Sequence, residues 1–162
     1  MLVLAFATGN TVAARAAVPS GNMGAFKFFD GKWKCVSGPT NNPMRDSATV
    51  SYEWDADGLI QRSEWDFVSS RTRQNGAHVR YYVTYDKQHR RFAEAGINSG
   101  ESGGAMKSAG WSGNRIVWLG DPDDGSSGQY LFIRRSSEAF DVVYSERVRN
   151  KRTDLYIDHC KR

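Results

Sequence analysis

The stretch Phe28–Cys35, "FFDGKWKC", holds two phenylalanines, an Asp-Gly pair, a tryptophan between two lysines and one of the chain's two cysteines. Alternation decides how it is read. From Gly31 onward, Trp33 and Cys35 fall on one side of an extended chain and Lys32 and Lys34 on the other, the period-two pattern of a half-buried strand. Asp30-Gly31 supplies a turn signal in front of it. "MGAFKFFD", which overlaps its start, is the one place where a short helical turn is expected. The counterpart lies at the far end, where "YIDHCKR" carries the second cysteine, Cys160.

The same period recurs between the two ends. "SATVSYEW" sets Ala48, Val50, Tyr52 and Trp54 against Thr49, Ser51 and Glu53. "DADG" then turns the chain, with Gly58 free to take positive φ, and "LIQRSEWDFVS" returns as the hairpin partner. "QNGA" reads as the next turn, and "HVRYYVTYD" puts Val79, Tyr81, Val83 and Tyr85 opposite His78, Arg80, Tyr82 and Thr84. "KQHR" turns again before the strand "RFAEAGI", the glycine-rich "NSGESGGAMKS" reads as a rim loop, and "AGWSGNRIVWLGD" is a hairpin around Ser112–Asn114. After the acidic turn "DPDDGSSG" come the strands "QYLFIRRSS", "AFDVVYSERV" and "TDLYIDHCK".

Strands in series joined by short links make a meander, and a meander removes its two edges most economically by closing on itself. The expected fold is all-β: an antiparallel up-and-down closed barrel of about eight to ten strands with a short N-terminal helical turn. A two-layer sandwich of the same strands is the alternative. With an even strand number the first and last strands become antiparallel neighbours, and those strands carry Cys35 and Cys160. In an oxidising compartment two cysteines read as a disulfide, so closure and redox arithmetic name the same contact; two buried free thiols are the other reading. The last strand resists. If Cys160 faces inward, Tyr156 and Asp158 follow it and Leu155 and Ile157 are left outside, unless a bulge repairs the parity.

With 162 residues, 40% hydrophobic and 25% charged, the totals exclude wholesale disorder and a helical membrane bundle. No stretch reaches the ~18 apolar residues of a spanning helix. The net charge of +4 is scattered among 22 basic and 18 acidic residues, without the basic stripe a nucleic-acid groove requires. Residues 1–20 have a short apolar run, Leu2–Ala7, and an Ala-Arg-Ala triplet at Ala14–Ala16. They read as a signal peptide cleaved near Ala17, or as a flexible leader, ahead of one domain over 24–162. The location implied is secreted or periplasmic.

Gly31-x-Trp33 after a helical turn resembles the signature of the lipocalins and the wider calycin group. From about residue 24 the chain is also similar to small secreted bacterial barrel proteins of unknown function. Their pattern has a G-x-W-x-C opening (Gly31–Cys35), a "YxWD" hairpin (Tyr52–Asp55), a "GWSGN" hairpin leading to a Trp-containing strand (Gly110–Trp118), and a terminal Cys-Lys-Arg (Cys160–Arg162). The resemblance implies an interior cavity, with Trp33 plugging its closed end and a basic side chain of the last strand, Lys161 or Arg162, packed across that ring. It implies no established activity.

The cavity candidates are aromatic: Trp33, Tyr52, Trp54, Trp65, Tyr81, Tyr85, Trp118, Tyr130 and Tyr144. They suit a small hydrophobic or amphipathic ligand, and equally a packed core. Polar candidates are Glu64, His78, Arg80 and His159, with Arg62, Asp66 and Glu146 near them in the strand pattern. Facing inward they would bind a polar group or serve as acid and base; facing outward they are solvated positions. His159 is the one histidine placed to reach an iron in a haem-type barrel, or else is hydrogen-bonded within the last strand pair. No metal motif, P-loop, nucleophile elbow or dinucleotide fingerprint is present, and no cofactor is implied. The expected function is an exported, non-enzymatic ligand carrier. A scaffold for protein assembly, with homo-oligomers among its forms, and an isomerase or hydrolase using an interior carboxylate with Arg or His are the alternatives.

Overall fold

Period-two alternation is realised as strands almost throughout the computed structural model, which describes residues 22–41, 46–68, 75–98, 104–120, 128–148 and 151–162. A 3-10 helix at Met23–Phe29 leads into β1 (Gly31–Pro39), followed by β2 (Asp46–Trp54), β3 (Ile60–Val68), β4 (Asn75–Asp86) and β5 (Arg91–Asn98). Then come β6 (Gly104–Ser108), β7 (Trp111–Ser112), β8 (Arg115–Gly120), β9 (Gln129–Ser136), β10 (Ala139–Val148) and β11 (Lys151–Lys161). The leader over 1–20, the glycine-rich segment at 99–103 and the acidic turn at 121–127 lie outside the described residues. Asn75–Ala77, expected in a turn, instead begin β4.

Every pairing is antiparallel, and the order β6-β5-β4-β3-β2-β1-β11-β10-β9-β8 closes through contact of β6 with β8. β7 continues the line of β6 beyond a break at Ala109-Gly110 and pairs with the other end of β8. The result is a closed ten-strand barrel rather than a sandwich. First and last strands meet as the strand count requires: Cys35 lies opposite Cys160 in the β1–β11 register. Their Cα atoms are 4.0 Å apart and their sulfurs are bonded.

The parity conflict on β11 resolves at one residue. Tyr144 of β10 faces Tyr156, but the next residue, Ser145, faces Asp154. Leu155 is therefore the extra residue of a bulge, and bulges re-aim side chains in this way. Leu155 and Tyr156 both line the interior, so the expectation that Leu155 points outward is corrected.

One end of the barrel is closed from within by the stretch Phe28–Cys35 and the helix before it. Gly31 has φ +97°, a conformation glycine adopts without steric cost, and it swings the chain from the helix into β1. Trp33, 1% exposed, donates its indole N–H to Phe29 O at 2.7 Å. Arg162 fills the basic position across Trp33, its guanidinium 4.4 Å from the ring centre while it donates to Phe28 O and Asp30 O at 2.8 and 2.9 Å. Gln61 Nε2 donates to Phe26 O and Asp30 Oδ1 at 3.0 and 3.1 Å, tying the helix to the wall. Trp111 stacks on Phe29, and Arg134 lies over both Phe28 and Trp111.

Candidate functional site

Above that floor the barrel is not filled by its own side chains. A cavity of about 370 Å³ remains, with Phe26 and Phe29 beneath it and side chains of β2–β5 and β8–β11 around it. Tyr52, Trp65, Tyr81, Trp118, Tyr130 and Tyr144 of the aromatic candidates line it. Trp33, Trp54 and Tyr85 do not. Trp33 is packed under the floor against Phe28 and Phe140, Trp54 donates its N–H to Asp30 Oδ1 at 2.5 Å, and Tyr85 lies edge-on to Phe92.

None of the four polar candidates lines the cavity. Arg80 bonds Glu64 at 2.9 Å and His78 bonds Asp66 at 2.6 Å on the outer face of β3 and β4. Arg62 reaches Glu53 at 2.6 Å on the same face. Such solvated pairs contribute little to stability. His159 is exposed and contacts Asp141 Oδ1 at 2.8 Å across the β10–β11 pair, the hydrogen-bonded placement rather than one facing the interior. Of the two placements expected for each, Glu64, His78 and Arg80 thus take the solvated one and His159 the hydrogen-bonded one.

Two other carboxyls take the inward positions. Glu94 of β5 is 9% exposed and Asp158 of β11 is 8% exposed, and both line the cavity. Burial pushes Glu94 up to about 8. Burial also raises Asp158, to about 6, against the opposite influence of Ser37 and His159. Ser37 stands opposite Asp158 on β1. Its hydroxyl lacks a hydrogen bond of good geometry, yet it lies close enough to favour the ionised form.

Around these acids stands a set of tyrosines. Burial raises Tyr52 well above its ordinary value, with Glu94 and Asp158 adding to the effect. Tyr81 and Tyr130 share a hydrogen bond and are raised by burial first. Tyr144, raised by burial and then by Glu146, donates its hydroxyl to that carboxylate. Gln61 and Ser63 complete the polar lining. Chemically the interior offers aromatic faces, hydroxyls and two acids. Among the described residues no cluster of three or more His, Cys, Asp or Glu could hold a metal ion, and no helix is long and apolar enough to cross a membrane.

The geometry defines a closed antiparallel β-barrel around an aromatic, acid-bearing cavity, a barrel of the kind the lipocalin resemblance implies. No protein-family model matches the chain, and no curated protein matches it in sequence.

Proposed function

We propose that the chain is an exported, lipocalin-like carrier that holds one small hydrophobic or amphipathic molecule inside its barrel. The cavity carries this reading: about 370 Å³, with mostly apolar walls and a few polar groups, it matches the size and lining of small-molecule sites. Export to the exterior or periplasm draws support from the disulfide, which persists in oxidising compartments, and from the leader over residues 1–20. On this reading residues 24–162 form one domain.

Titration of the oxidised protein with the apolar fluorophore N-phenyl-1-naphthylamine tests it. Saturable emission enhancement is expected from the wild type, and Val142→Trp, which places an indole into the cavity, abolishes it while circular dichroism reports a retained fold. No uptake by folded wild type overturns the reading.

One surface feature favours the scaffold as a second reading. Leu59, Ile60, Tyr82 and Ile97 are exposed large hydrophobics. Ile60 and Tyr82 border an outer hollow of about 310 Å³ with Ala93, Ala95 and Ala105. A stable oligomer in size-exclusion chromatography that Ile97→Glu dissociates would support it; a monomer at all concentrations counts against it.

A further inference from the structure

We propose that the ligand is an organic cation, a monoamine whose apolar body fills the barrel and whose ammonium group is held by Asp158 among the tyrosine hydroxyls. The inference rests on the carrier reading and narrows it to a ligand class.

The charge pattern points one way. Glu94 and Asp158 line the cavity, and no lysine, arginine or histidine does so among the described residues. The interior thus holds acids without an internal counter-ion, an arrangement that is costly unless something supplies the charge. Burial keeps Glu94 protonated at neutral pH, so Asp158 is the carboxylate available to pair.

The hydrogen-bonding character of the wall points the same way. Tyr52, Tyr81, Tyr130 and Tyr144 line the cavity together with Asp158. An ammonium group donates up to three hydrogen bonds, which carboxylate and hydroxyl oxygens accept. Tyr52, Trp65, Tyr81 and Trp118 add ring faces of the kind that attract a cation.

An organic acid fares worst in the same site. It would meet two carboxyls, while the one amide donor, Gln61 Nε2, is already engaged with Phe26 O and Asp30 Oδ1. A neutral alcohol can use the hydroxyls but gains neither ion pairing nor cation–π attraction. The expected order is amine, alcohol, acid.

Calorimetric titration of the oxidised full chain at pH 7 with tryptamine, tryptophol and indole-3-propionate separates the three. Tryptamine is expected to bind at least about tenfold more tightly than tryptophol, as a charge-assisted contact allows, with indole-3-propionate weakest. Asp158→Asn removes the amine preference and leaves tryptophol affinity in place, whereas Glu94→Gln keeps the preference. Equal binding of amine and alcohol, tighter binding of the acid, or an amine preference that survives in a folded Asp158→Asn protein overturns the inference. If N-phenyl-1-naphthylamine enters while tryptamine shows no advantage, the inference fails and the carrier reading stands. If neither the fluorophore nor any of the three indoles enters, both fail.

Discussion

At Glu94 a carboxyl occupies the strand face it shares with Phe92, a core residue 3% exposed. Folded, this acid keeps its proton up to about 8, whereas its ordinary value is 4.5. Between those values the folded state binds more protons than the unfolded one, so stability falls as pH rises through the interval and levels off above it. The full displacement is worth roughly 5 kcal/mol as an upper bound. Asp158, raised from 3.8 to about 6, adds a contribution of the same sign at lower pH. Urea unfolding should therefore show Glu94→Gln gaining on the wild type as pH increases from 5 to 8; a gap that shrinks over this range refutes the assignment. Glu94 was legible in part, since "RFAEAGI" places it in step with Phe92. An isolated acid in a strand still reads as solvated, because alternation shows which residues share a face but not which face is inside. The same ambiguity covered Glu64, His78 and Arg80, whose neighbours Trp65 and Val79 take the inner positions. Alternation also carries no depth. Trp33, Trp54 and Tyr85 lie near the closed end of their strands, too low to reach the cavity.

At the scale of elements, the 3-10 helix serves as a floor held by specific polar contacts. Gln61 is 2% exposed and bonds the helix carbonyl at Phe26 as well as Asp30. Gln61→Leu keeps the bulk and removes both bonds, leaving a buried carbonyl unpaired at a cost of about 1–3 kcal/mol, measurable as a lower urea midpoint. The bulge in β11 has a separate consequence. Leu155 lines the cavity while Ile157, two residues on, does not. Leu155→Asn should weaken N-phenyl-1-naphthylamine binding severalfold and Ile157→Asn should leave it nearly unchanged, an order that a regular strand would not produce. The sequence exposed the conflict at these residues without placing the bulge, because a bulge is set by pairing with β10 rather than by the residues of β11 alone.

Across the whole molecule, the barrel is sealed very differently at its two long-range seams. β1 and β11, from opposite ends of the chain, share six residue pairs and the Cys35–Cys160 bond. Among the described residues β6 meets β8 through two pairs, Met106 with Gly120 and Lys107 with Leu119. The covalent link spans a separation of 125 residues, which by loop-closure entropy is worth about 5 kcal/mol, exerted mainly on the unfolded chain. Six residue pairs remain to hold β1 against β11 in its absence, and neither cysteine lines the cavity. Stability and ligand affinity should therefore separate on reduction. Replacing both cysteines by alanine is expected to lower the urea midpoint strongly while folded protein binds N-phenyl-1-naphthylamine within about twofold of the oxidised form, since the term removed acts on the unfolded ensemble. A parallel loss of affinity in protein still folded by circular dichroism would mean that the disulfide shapes the native cavity as well as restricting the unfolded chain.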